Sequence, residues 1–292
     1  MSKLKIIADS TCDLPIDIIE KYNIGIVPLN IIFNNEEVRT QFVNLTNEEF
    51  YRRLNSGESA SSGVPGPAIF KEKIEEGLKE ADEIILITLS SKMSAVYQIA
   101  HMTKNEFFDD RVTIVDSLCG TIQTGLVVYE AAKKVKEGCT KKEVLAYLYE
   151  ILIPNARLIS YASTLKYLRR SGRISRIRHL MGTVLRIKPI FNIEDGMIAA
   201  AGSVMLWQSI DDAFLKLLTK VAGEQITDTM FIAHSGNPEK CQELIDYMKT
   251  LPNAPKNVLM AEVGPAVGVH VGPNTFGFVW IGNYDKKWFD DL

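Results

Sequence analysis

The sequence predicts an α/β protein of two α/β domains, the first with a mainly parallel sheet flanked by helices, the second with a mixed sheet and helices. Two observations carry this. Short apolar, β-branched runs alternate with amphipathic helical segments through the first half of the chain, which is the rhythm of βαβ units. Beyond residue 157 strand-like runs follow one another with more hairpin character. The length of 292 residues suits two modest domains. We place the division near residue 157, giving a first domain of 1–157 and a second of 158–292.

The elements follow in order. Lys5 to Ala8 reads as a buried strand and Asp9-Ser10-Thr11 as a polar loop. A helix over Ile16 to Tyr22 takes Asp13 as its N-cap and Pro15 in its first turn. Ile26 to Phe33 reads as one strand. Thr46, with Glu49 three residues on, caps a helix that runs through Leu54. Ser56 to Gly66 is a small-residue loop before a helix from Ala68 to Glu80. Two further units repeat the pattern: strand Glu83 to Leu89 with helix Met93 to Phe107, and strand Val112 to Val115 with helix Gln123 to Lys136. In the second half, strands are expected at Leu158 to Ser163, Val184 to Phe191, Met197 to Val204, Met230 to His234, Val258 to Glu262 and Thr275 to Ile281. A short basic helix covers Thr164 to Arg170, and two longer ones cover Ile210 to Ala222 and Pro238 to Thr250.

Composition excludes several classes. A net charge of −3 argues against a nucleic-acid protein, whose domains carry a basic stripe. The four cysteines are scattered, with no CxxC pair and no metal spacing, so buried thiols in a reducing compartment are expected. Met1 to Lys5 leads straight into a strand without a signal peptide, and no apolar run approaches the roughly 18 residues of a membrane span. We therefore expect a cytoplasmic protein with no integral membrane segment, no metal and no cofactor.

Hydroxyl residues recur at the carboxyl edge of the first predicted sheet, in Ser10-Thr11, Ser61-Ser62, Ser90-Ser91-Ser94 and Ser117. That edge is where open parallel sheets take ligands. Several of these loops run into helix N-termini, where free N–H groups favour an anion. The alternative is plain capping. The chain lacks a phosphate loop, a dinucleotide fingerprint and a nucleophile elbow, so no catalytic residue is assigned. A hydrolase would need Ser62 or Ser94 paired with His234 or His270, and the sequence leaves that alternative open. The tract Val263 to Pro273 is punctuated by glycine and proline. It reads either as a hairpin or as a pocket wall with His270 and Gly268 as candidate pocket residues. Thr164 to Arg178 holds six basic residues, with Arg169, Arg170 and Arg173 as candidates for docking an anionic partner.

The same segments resemble a known family. Ile7-Ala8-Asp9-Ser10-Thr11-Cys12-Asp13-Leu14-Pro15, Leu89 to Gln98, Leu165 to Ser175, Lys188-Pro189-Ile190 with Asp195-Gly196, and Val263 to Gly272 are five ordered motifs similar to those of the DegV family. This is the family of bacterial fatty-acid-binding carrier subunits of fatty acid kinase. The resemblance implies a long-chain fatty acid in a tunnel beside the first sheet, with its carboxyl group held by the hydroxyls of Ser62 and Ser94. It also implies a separate ATP-dependent kinase of the DAK type that phosphorylates the bound acid. A 16-carbon chain at about 0.8 kcal/mol per buried methylene gains on the order of 10 kcal/mol gross. The two hydroxyls add a few kcal/mol at most. Affinity then comes from the tunnel and orientation from the serines. The chain departs from the family pattern at Gly63, Val64 and Gly66, at Ala95-Val96, and at Ser203 and Met205, where the family carries basic residues. The last change removes a contact that kinase docking would use.

Overall fold

The computed structural model describes residues 2–34, 36–173, 176–177, 187–290 and 292. Strands β1 (Leu4–Asp9), β2 (Gly25–Val27), β6 (Glu83–Thr88) and β7 (Val112–Asp116) form an all-parallel sheet in the order β2-β1-β6-β7. Such a sheet is buried on both faces, which explains the unbroken apolar runs of β1 and β6. Successive residues alternate between two cores. Ile7, Ile84 and Leu86 face α3 (Pro67–Glu80) and α4 (Val96–Phe107), while Ile6, Ala8, Ile85 and Ile87 face α5 (Ile122–Lys136).

The second sheet is mixed, six strands in the order β10-β9-β8-β13-β11-β12. Its members are β8 (Ala156–Ala162), β9 (Ile187–Glu194), β10 (Met197–Met205), β11 (Thr229–His234), β12 (Asn257–Glu262) and β13 (Thr275–Ile281). Only β11 and β12 pair in parallel; the other contacts are antiparallel. One face carries Ile159, Met230, Ile232, Phe276, Phe278 and Trp280 against α9 (Ile210–Val221) and α10 (Pro238–Thr250). The opposite face presents Leu158, Phe231, Val279 and Ile281 to α5. Helix α5 therefore lies between the two sheets. It is buried from Ile122 through Ala132, as a helix apolar on all sides must be. The division expected near residue 157 falls at the start of β8.

Several expectations need correction. Ile26 to Phe33 is two strands, because Pro28 has no N–H to continue a ladder. After it, β3 (Asn30–Phe33) leaves the parallel sheet and joins β4 (Glu37–Thr40) and β5 (Ala60–Gly63) in a small antiparallel sheet. The expected loop from Ser56 to Gly66 thus contains β5. Asp13 does not cap α1 (Ile16–Lys21); Pro15 occupies that position without a side-chain bond, and Asp13 turns its carboxylate elsewhere. The tract after Val263 is not a hairpin but helix α11 (Pro265–Val271), and its residues Ala266, Val267 and His270 line a pocket. Residues 184–186 of the expected strand from Val184 to Phe191 lie outside the described residues, and the strand is seen from Ile187. Helix α2 (Asn47–Asn55) is capped by Thr46, whose side chain accepts from Glu49 N. The helical stretch Lys141–Ala146 (α6), its π-helical turn Tyr147–Leu152 and α7 (Ile153–Asn155) were not read from sequence.

Candidate functional site

A cavity of about 1080 Å³, counted out to its mouth, opens along the seam between the two sheets. It lies against the face of the second sheet that also packs on α5, so the sheet itself must explain why space is left there. Strand register lines up Ala233, Gly277 and Ser160 in one row across β11, β13 and β8. All three line the cavity. Two residues further along each strand, the row becomes Phe231, Val279 and Leu158; it packs against α5, with Leu158 also reaching the edge of the cavity. Phe231 meets the ring of Tyr129 edge-on with centroids 6.0 Å apart. Large side chains bring α5 down onto the sheet and small ones beside them leave the groove.

The mouth collects the polar groups. Ser62, on β5, places its Oγ 2.9 Å from His270 Nε2 on α11. Ser94 lies in the turn before α4, where its Oγ accepts a long 3.4 Å bond from Val96 N and keeps its proton free to donate. Arg173 also lines the cavity, and its Nε donates to Met93 O. Arg170 donates to Ala60 O at the edge of β5. His270 is pulled down to about 4, first by burial and then by the charges of Arg173 and Arg170. The ring is neutral at physiological pH, and the net field at the mouth is positive. A carboxylate fits this set: two hydroxyls to donate, two cations nearby and an apolar channel behind.

The serine-rich edge resolves into structural and cavity-facing residues. Ser10 Oγ accepts from Leu29 N, and Gln41 meets it from the other side. Ser90 donates to Gly196 O, which ties the β9–β10 turn onto the first sheet. Ser117 Oγ accepts from Cys119 N. Those serve the fold, while Ser62 and Ser94 face the cavity. Ser62 belongs to a strand, however, and not to a helix N-terminus as expected. Gly268 also departs from its expected place. It turns toward α2, where an added Cβ would stand 2.6 Å from Phe50 and 3.0 Å from the Tyr51 hydroxyl. Its role is the close approach of α11 to α2. Of the basic candidates, Arg173 is at the mouth, while Arg169 and Arg170 are exposed on α8 (Lys166–Arg170).

Helix α11 is fixed by polar contacts from the N-terminal half of the chain. Asp13 accepts from Gly264 N at 2.9 Å and from the Thr121 hydroxyl at 2.7 Å. Gln41 Oε1 accepts from Ala266 N, and the Tyr51 hydroxyl donates to Val263 O. Burial pushes Asp13 up to about 8 despite the two bonds it accepts. Thr121 itself stands at a φ of 51°, a strained angle for a β-branched residue, and its bond to Asp13 holds it there. Sequence reading missed this anchor because residues 13, 121 and 264 are far apart in the chain.

A family model described as "Uncharacterised protein, DegV family" matches residues 3–283. The chain belongs to the DegV family. A DegV domain-containing protein of Caldanaerobacter subterraneus subsp. tengcongensis is 30% identical over 277 residues, covering 95% of this chain and 98% of its relative. Among solved structures, a DegV family protein from Thermus thermophilus, described as fatty acid binding, superposes with a TM-score of 0.88 at 26% identity. It covers 97% of this chain and 100% of its own. A Thermotoga maritima protein described as revealing a fatty acid binding function gives 0.80 at 25% identity, with 97% and 100% covered. The DegV motifs read from the sequence meet at this one seam: Ser94 from the second, Arg173 from the third and His270 from the fifth line the same cavity. Among the described residues no helix is long and apolar enough to cross a membrane, and no cluster of side chains could hold a metal ion.

Proposed function

We propose that this DegV protein binds a long-chain fatty acid, carboxylate at the mouth and acyl chain along the second sheet, and performs no chemistry on it. The observation that carries the reading is the continuity of an apolar channel with a mouth where Ser62, Ser94 and Arg173 converge. The fatty-acid binding described for the Thermus thermophilus and Thermotoga maritima relatives supports it. Organic extraction of the purified protein followed by mass spectrometry tests it. A fatty acid in near-stoichiometric amount is expected. A lipid-free protein that also fails to take up palmitate would overturn it.

Delivery of the bound acid to a separate fatty acid kinase is the finer half of the proposal. The exposed Arg169 and Arg170 beside the mouth support it. Against it, Ser203 and Met205 stand where the family carries basic residues, and Met205 is followed by exposed Leu206 and Trp207. An acyl phosphate assay with ATP and a DegV-partner kinase decides this half.

A second reading is favoured by one observation, the 2.9 Å contact between Ser62 Oγ and His270 Nε2, which is the pairing a serine esterase requires. Two features weigh against it. His270 Nδ1 is buried with no partner among the described residues, so no third group orients the ring. A base held near 4 also draws weakly on a hydroxyl proton. Release of p-nitrophenol from p-nitrophenyl palmitate, abolished by Ser62→Ala, would support the esterase; no turnover above the variant's background is expected.

A further inference from the structure

The acyl part of the cavity holds a hydroxyl that the head group does not use. Ser160 lies in the middle of the small row, between Gly277 of β13 and Phe191 of β9. Strand alternation puts its side chain on the cavity face with Leu158 and Ala162, while Ile159 and Tyr161 face the other core. The remaining hydroxyls of the lining all have partners. Thr11 donates to Asp9, Thr121 to Asp13 and Thr275 to Val271 O, while Ser62 meets His270 and Ser94 accepts from Val96 N. Among the described residues Ser160 Oγ makes no hydrogen bond to protein. Its neighbour Gly277 is packed close, since an added Cβ would stand 2.5 Å from Ile159 O and 2.8 Å from Ser160 Cβ, so no side chain from β13 covers the hydroxyl.

Ser160 also lies beyond the mouth. Thr275, bonded to the carbonyl of Val271 beside His270, pairs across from Ala162. Ser160 is two residues further along β8, about 7 Å deeper at strand spacing. A polar group surrounded by apolar wall is costly to bury without a partner, for the protein and for any ligand group placed against it. A plain alkyl chain covers Ser160 Oγ and gives it nothing. A chain bearing its own oxygen at that depth satisfies both groups with one bond.

We infer that the preferred ligand class is a long-chain fatty acid carrying a hydroxyl within its chain, read by Ser160. This rests on the carrier reading above and names the ligand of that same site.

The test is calorimetric titration of the delipidated full-length protein with octadecanoic acid and a positional series of monohydroxylated octadecanoic acids. The wild type should bind one mid-chain isomer about tenfold more tightly than the unsubstituted acid, the value of one added hydrogen bond. Isomers hydroxylated next to the carboxyl group should show no such gain. In Ser160→Ala the gain should vanish, and octadecanoic acid should bind up to a few-fold more tightly because no unpaired hydroxyl is left covered by the chain. If the wild type binds octadecanoic acid but binds every hydroxylated isomer no better, the inference fails and the carrier reading stands. A preference that survives in Ser160→Ala also overturns it. A wild type that binds none of these acids overturns both.

Discussion

Two neighbouring rows on one face of the second sheet have opposite fates. Phe231, Val279 and Leu158 press on α5 and join the core that links both sheets. Ala233, Gly277 and Ser160, two residues along the same strands, line the cavity, with Ala233 at the border where it still belongs to that core. Strand geometry is the same in both rows, so the difference lies in side-chain volume. The sheet proposed to hold the lipid is an ordinary packing face with its middle row left small.

That contrast can be broken from either side. Phe231→Ala should have the largest effect, about 3–5 kcal/mol of stability lost to a cavity in the shared core. A denaturant midpoint measures it, and palmitate stoichiometry under folding conditions should stay unchanged. The mouth offers an effect of similar size through pH. His270 has its usual value near 6.5 when unfolded and about 4 when folded. Between those values the unfolded chain binds more protons at this ring, so the His270 contribution to stability should fall by about 3 kcal/mol as pH drops from 6.5 to 4, while Asp13, raised in the folded state, contributes with the opposite sign. His270→Gln should lose that part of the pH dependence. Ala233→Leu fills the small row. It should exclude three or so methylenes and weaken palmitate by about 2–3 kcal/mol, with about 1–3 kcal/mol of stability lost because Ala233 is itself buried beside the shared core. The paired change Ser62→Ala with Ser94→Ala should cost about 1–3 kcal/mol of binding and leave the larger hydrophobic part intact.

Much of this was legible in the sequence, for local reasons. Apolar runs and helical periods gave the alternating first half, and β1 and β6 read as buried strands because a parallel sheet has no solvent face. Ser62, Ser94 and His270 came from motifs, and the fold brings them to one mouth. The misreadings arose where tertiary contacts override local pattern. The glycines of α11 look like turn residues, yet Gly268 serves close packing on Phe50 and Tyr51. Asp13 looks like a cap, yet its carboxylate is used 251 residues away on Gly264. The small row was written in alternate positions of β8, β11 and β13, but only the register across strands sets those residues side by side.

The proposed binding mode has one orientation: carboxylate at the mouth, chain along the small row. The most direct measurement is a crystal structure of the protein with palmitate. Carboxylate oxygens are expected within about 2.6–3.2 Å of the Ser62 and Ser94 hydroxyls, with the chain passing over Ala233, Gly277 and Ser160. A chain lying elsewhere, or a carboxylate at the far end of the cavity, would contradict it.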